Sequence, residues 1–377
     1  MVKDGSMRRR SMLSLLTVLA VGFLLPAGPV LAAGRGNAQD KAFLEGLVRS
    51  HVQPRFEALA GAATELAGRF ERFCRAPDAA GFEGLRAGYD ATMDAWAGAQ
   101  HLRPGPLLLE LRSDRIAFWP ERRGIAARQL GQLLSARDPK ILEPGALAKQ
   151  SAAVQGLTAI ELLLYGEKAA PAQFTGDEAA RYRCALGTAI TGNLAAVTAE
   201  VRDGWAALAP KLAVGEPTPV GATATEAVNN LYSSVLTMMQ VVEDQKIMIP
   251  LGKSLGGAKP ALAESARAGR SLRNIALNLA SMRAFMTGEK DSPGMLSLLP
   301  ATPEATAAAT TTEKAFDEAI TAANAVPVPL GTAVTDPEQR PKVEALLGAT
   351  KGVLTMLNRT LPPLFGITLG FNELDGD

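Results

Sequence analysis

The sequence predicts an all-α protein made of two related helical bundles packed side by side. Three observations carry that expectation. Apolar residues recur at helical spacing through most of the chain beyond residue 40. Hydrophobic residues make up 47% of the chain but aromatics only 5%, Ala and Leu abound and β-branched alternation is scarce, a balance that favours helix over sheet. Finally, "SLRNIALNLASMRAFMTG" (271–288) echoes "KQSAAVQGLTAIELLLYG" (149–166) in length, apolar spacing and terminal glycine, which suggests a repeated bundle.

The first 32 residues read as a secretory signal peptide. Lys3, Arg8, Arg9 and Arg10 form a basic start, an apolar run follows, and "VLAA" offers small residues for cleavage near Ala32. "RRRSML" faintly resembles a twin-arginine signal, with general secretion as the other route. No cysteine stands at the cleavage point for a lipid anchor. Losing residues 1–32 removes four bases and one acid, leaving 35 Lys and Arg against 37 Asp and Glu, a net charge of −2. That balance provides no basic field for nucleic acid or anionic lipid. No later segment reads as apolar enough for roughly 20 residues to span a bilayer, so the mature chain is expected in the periplasm without a transmembrane segment. Its roughly 345 residues exceed one comfortable core. The expected division is a first bundle over 33–208, a linker over 209–222 and a second bundle over 223–377.

Residues 41–75 place Phe43, Leu44, Leu47, Val48, Phe56, Leu59, Ala63, Leu66 and Phe70 at helical spacing, with Pro54 as a kink. "APDAAG" reads as a loop or helix start before a second helix over 80–100, which "HLRPGP" (101–106) breaks with two prolines. "DRIAFWPERRG" reads as a loop or short helix before a helix over 125–136. "DPKILEPG" carries turn chemistry; a long helix over 145–165 then closes on Gly166. Another helix covers 176–208, and "APKLAVGEPTPVGAT" has linker composition. The second half predicts helices over 223–247, 261–287, 302–324 and 337–358, with "IPLGKSLGGAKP" as a loop. "LGKSLGG" lacks the earlier glycine of a phosphate-cradling loop, and no serine-nucleophile or dinucleotide motif stands out.

Within "GLTAIELLLYG" (156–166) a carboxylate, Glu161, sits in an almost wholly apolar helix, with Thr158 three residues before it on the same face. Thr158 can bond a carbonyl of the preceding helical turn, whereas Glu161 must reach another helix. An ionised Glu161 meeting Arg103, Arg115, Arg122, Arg123, Lys246 or Arg273, near His101, is the expected arrangement. Gly156 would admit a close neighbour. His101 and Arg103 mark a helix end before "PGP", either a rigid polar corner suited to binding or a solvated cap. Trp96 and Trp119 read as core or bundle-edge aromatics, Trp119 being also a candidate wall of a pocket at the motif. Cys74 and Cys184, an even pair in an exported chain, suggest a disulfide, two separate buried thiols being the alternative. The terminal "GFNELDGD" reads as a docked apolar tail, or as an acidic, oxygen-rich patch.

The stretch containing Gly156, Thr158 and Glu161 resembles the Gly-x-His-x-x-Glu motif of the imelysin family, with Thr158 where the family has histidine. "AWAGAQHLRPGP", "RIAFWPERRG", "LGFNELDGD" and the surroundings of Cys74 and Cys184 ("YRCAL") fit an imelysin-like branch, so the resemblance spans residues 41–377. It implies two related helical bundles in the bacterial envelope and an association with iron uptake. It also implies the family's label of metallopeptidase, numbered seventy-five. With the motif histidine replaced, and with His51 and His101 the chain's two histidines, a non-enzymatic binding or accessory role in iron uptake is expected, alongside an envelope iron-transport partner. The rivals are a metallopeptidase and an envelope interaction module without metal. A site for iron or another divalent metal would draw on Glu161 and His101.

Overall fold

Residues 36–121, 123–289 and 292–368 are described by the computed structural model of the chain; the leader, Arg122 and the terminal "GFNELDGD" lie outside them. The first helical rod is α1 (Asn37–Leu47), a π-helical turn (Val48–Val52) and α2 (Gln53–Arg75) in direct succession. Pro54, expected to kink this rod, sits in the first turn of α2, where a missing N–H costs little. The wider π-turn lies just before it. Asp78 then caps α3 (Ala79–Ala99) by accepting from the Gly81 N–H at 2.6 Å. The chain crosses to α4 (Arg112–Ile116) and α5 (Ile125–Ala136).

The long helix expected over 145–165 is not formed. Short 3-10 turns occupy Leu147–Lys149 and Ala152–Val154, and only α6 (Leu157–Tyr165) is α-helical. The Gln155 side chain explains part of this, since its amide donates to the carbonyls of Gln150 at 2.5 Å and Ala148 at 3.3 Å and holds the chain in a loop. Next, α7 (Glu178–Val214) runs through Pro210 and stops at Gly215, whose φ of 76° suits glycine. Residues 209–214, expected to begin a linker, therefore extend a helix.

This helix also amends the membrane expectation, because Glu178–Val214 is long and apolar enough by length and composition to cross a bilayer. Half of its most apolar window is buried against the protein, and it packs on α2, α5 and α6 as the core helix of a bundle does.

The second group comprises α8 (Ala224–Gln240), a π-helical stretch (Val241–Met248) leading into α9 (Ile249–Leu251), and α10 (Ser271–Thr287). A two-residue hairpin, β1 (Gly288–Glu289) with β2 (Ser292–Pro293), follows. It is completed by α11 (Pro303–Asn324), α12 (Leu330–Ala333), α13 (Arg340–Thr355) and α14 (Leu361–Phe365), the last two joined by a π-turn (Met356–Thr360). The helix expected from 261 begins only at Ser271. Residues 263–269 instead form turns, with Ser265 at φ 48° and Gly269 at φ 68°.

Packing follows the apolar stripes. α2 lies between α3 and α7, α11 between α10 and α13, and α3 meets α10 where the two groups join. Cys74 at the end of α2 is bonded to Cys184 on α7, as an exported chain with an even cysteine count suggested. The described residues form one compact unit.

Candidate functional site

The site is built around the short helix α6. Its buried face, Leu157, Ala159, Ile160, Leu163 and Leu164, anchors it in the core. Gly156 caps it, and a Cβ there would lie 2.2 Å from the Ile116 carbonyl oxygen and 2.3 Å from that of Arg115. Glycine is thus what lets the end of α4 press against the start of α6. Thr158 fastens the same segment, because its hydroxyl donates to the Phe118 carbonyl at 3.2 Å. The expected bond to the preceding helical turn is replaced by one across to another element. Arg115 adds a third tie, donating from Nε to Gln155 Oε1 at 2.9 Å. Together these ties hold out Trp119, one residue beyond.

Glu161 lies on the same face, only 6% exposed. Its Oε1 accepts from the backbone N–H groups of Arg267 at 2.9 Å and Ala268 at 3.0 Å. This corrects the expected pairing with a side-chain cation. Arg115 serves Gln155, Lys246 serves Glu264 at 2.7 Å, and Arg273 serves Asp94. Arg122 lies outside the described residues. Burial pushes the Glu161 carboxyl above its ordinary range, and the two amides and the Arg267 charge pull it back only in part. The amides are available because residues 263–269 are turned rather than helical.

A cavity of about 230 Å3 opens beside these groups, lined among others by Thr158, Glu161, Trp119, Tyr89, Glu121 and Glu264. Behind its wall lies a buried polar network. The Lys246 ammonium, from the π-helical stretch, reaches Glu264 Oε2, Gln100 Oε1 at 2.8 Å and Asn278 Oδ1 at 2.7 Å. It also lies 5.6 Å from the centre of the Trp119 ring. Tyr89 donates to Ser265 Oγ at 3.3 Å. Tyr89, Glu264, Ser265 and Arg267 were missed in the sequence. Glu264, an acid within an expected helix, gave no sign that it would be buried opposite Lys246.

His101 belongs elsewhere. It is buried rather than solvated, its Nε2 lies 2.8 Å from Nε2 of His51, and both rings pack on Phe285. His51 Nδ1 in turn faces Glu289 Oε2 at 3.1 Å, and Arg55 holds Glu289 through two hydrogen bonds. Burial holds the His51 imidazole down at about 4 and that of His101 well below its ordinary value. Arg103 is fixed through its backbone N–H to Ser234 Oγ, which donates to the His101 carbonyl at 2.7 Å. The corner is therefore a packed joint with α8.

The donor chemistry at the motif does not fit a resident metal. A protein metal centre gathers several His, Cys or carboxylate ligands. Among the described residues no group of three or more such side chains is so gathered. Glu161 Oε1 is already bonded by two amides, which leaves Oε2; Thr158 offers only a neutral hydroxyl, a weak ligand; and His101 Nε2 faces His51 instead of Glu161.

Comparison with known proteins agrees with this architecture. No curated protein matches the chain in sequence. An imelysin-like protein from Psychrobacter arcticum 273-4 superposes with a TM-score of 0.76 at 23% identity, covering 91% of this chain and all of that one. A protein named as an iron-regulated protein A precursor, from Parabacteroides distasonis ATCC 8503, superposes with a TM-score of 0.71 at 15% identity, covering 88% of this chain and 96% of that one. At these identities the likeness is one of fold. The family model described as Imelysin matches residues 52–356, and on that span, which contains α2 to α13 and the whole cavity, the chain belongs to the imelysin family.

Proposed function

We propose that the chain is an exported, non-enzymatic binding component of iron uptake in the bacterial periplasm, with the cavity beside α6 as its ligand site. One observation carries the non-enzymatic part. The two polar positions of the motif are engaged in holding the fold, Thr158 on the Phe118 carbonyl and Glu161 on the amides of Arg267 and Ala268. Among the described residues neither is hydrogen-bonded to a general base, and no metal-ligand set is gathered, as metal-assisted peptide hydrolysis requires. The iron association is supported by membership of the imelysin family and by the printed name of the Parabacteroides protein. Export is supported by the basic, apolar and small-residue pattern of residues 1–32.

The test has two arms. A strain lacking the chain should grow more slowly under iron limitation and recover with the wild-type gene; growth independent of iron supply refutes the uptake role. Purified protein should cleave casein no faster than buffer. Chelator-sensitive cleavage that disappears in Glu161→Gln would establish the metallopeptidase instead.

A further inference from the structure

Two neutral polar side chains in the cavity wall have already given their protons away. Thr158 Oγ1 donates to the Phe118 carbonyl at 3.2 Å, and Tyr89 Oη donates to Ser265 Oγ at 3.3 Å. Both retain lone pairs and can only accept from a ligand in this arrangement. Glu161 uses Oε1 for two amides, while Oε2 receives no hydrogen bond among the described residues although the side chain is more than nine-tenths buried.

Glu121, in the same wall, is held in the same way, its Oε1 accepting from the N–H groups of Arg123 at 2.8 Å and Ile125 at 2.9 Å. Trp119 contributes an indole surface, and Met93 and Leu157 contribute apolar area. The remaining charges are accounted for. Glu264 is neutralised by buried Lys246, and Arg267, exposed at the rim, already acts on Glu161.

We propose that this cavity binds an organic cation through an ammonium or guanidinium head, with Glu161 Oε2 as its charged acceptor and Trp119 as the wall it lies on. Thr158 Oγ1 and Tyr89 Oη are the neutral acceptors. The proposal rests on reading the cavity as the chain's ligand site. Such a head supplies donors to acceptors that are fixed in advance, and its charge is favoured against an aromatic face. A bare metal ion finds too few converging ligands among the described residues. An anion meets lone pairs and the carboxylates of Glu121 and Glu161, besides that of Glu264, which is paired with Lys246. Thr158 also suits a cation, since its hydroxyl carries no charge to repel the ligand.

The test titrates the full exported chain with n-butylammonium and n-butylguanidinium, read by calorimetry and by tryptophan fluorescence, with n-butanol, acetate and inorganic phosphate as controls. At least one cation should bind saturably, with n-butanol about tenfold weaker or worse. Glu161→Gln keeps an oxygen for the two amides but turns a donor toward the ligand; it should weaken the cation by about tenfold or more with its unfolding midpoint near wild type. Thr158→Val should weaken the cation without touching Glu161, which keeps the proposal testable if Glu161→Gln folds poorly. No saturation by either cation, equal affinity for n-butanol, tighter binding of acetate or phosphate, or Glu161-dependent stoichiometric binding of ferric ion would overturn it. The two readings fail separately. Iron-dependent growth without cation binding removes the ligand class alone, and cation binding without iron-dependent growth removes the uptake role alone.

Discussion

At Gly156 the absence of a side chain is itself a structural requirement. A Cβ 2.2 Å from a backbone oxygen cannot be accommodated by a flexible neighbour, so Gly156→Ala should cost about 3 kcal/mol or more in urea unfolding. A loss below about 1 kcal/mol would mean α4 moves aside freely. Glu161→Ala strands two amide donors and should cost about 2–4 kcal/mol, whereas Thr158→Ala loses one neutral bond at about 1 kcal/mol. Equal costs would show that the amides find water. The histidine pair predicts a pH dependence. His51 and His101 titrate below their ordinary range in the fold, so the unfolded chain binds more protons as pH falls past about 6.5. Their stabilisation is present above that pH and is lost toward about 4, the folded value of His51, by up to about 1.4 kcal/mol per pH unit for each ring. Glu289, held down at about 2 first by its bond to His51, keeps its charge through that window. Urea midpoints between pH 7 and 4.5 should fall, and should flatten in His51→Gln/His101→Gln; a flat wild-type profile would contradict the burial argument.

At the scale of elements, two of the three π-helical turns among the described residues carry a polar group into the interior. The π-helical turn at Val48–Val52 contains His51, and the one at Val241–Met248 contains Lys246. A π-turn shifts a side chain around the helix axis by a fraction of a turn, which periodicity alone would not place inward. Lys246 is 1% exposed and joins the π-stretch to Glu264, Gln100 at the C-cap of α3 and Asn278 of α10. Lys246→Met should therefore cost about 3–5 kcal/mol, because Glu264 is left as an unpaired buried charge. Chemical denaturation measures it, and a near-neutral effect would mean Glu264 takes up a proton cheaply. The disulfide ties α2 to α7 across 110 residues of chain. Its reduction should lower stability by up to about 4–5 kcal/mol, the chain-entropy limit for such a loop. Unfolding with and without reductant gives the figure, and a loss near zero would show that α2 and α7 restrain the unfolded chain little through this bond.

For the whole molecule the main question is cooperativity. We propose, from the sequence, two bundles divided near residues 209–222, and the described residues of both form one compact unit in which α3 meets α10 and the Lys246 network draws on both. Unfolding should therefore be a single transition, with tryptophan fluorescence and far-ultraviolet circular dichroism coinciding. Trp96, Trp119 and Trp205 all lie before the division, so a second transition seen only by circular dichroism would reveal an independent C-terminal bundle.

The sequence by itself determined the helical class, most helix positions in the second half, the cysteine pair and the family, because each rests on local spacing or on short motifs. Periodicity placed 302–324 almost to the residue, since α11 spans Pro303–Asn324. It failed over 145–156 and 261–270, where apolar composition continues but the backbone turns aside. Gln155 captures carbonyls in the first case, and Ser265 and Gly269 take left-handed conformations in the second. Those failures form the site. The loop that should have been helix supplies the amides that hold Glu161, and the sequence pointed to Glu161 itself without showing what would meet it. Only the tertiary structure decided that partner, and it separated His101 from Glu161 by giving each a different neighbour. Hydrogen bonds between residues more than 100 positions apart, such as Arg267 N–H to Glu161, leave no periodic trace in either segment.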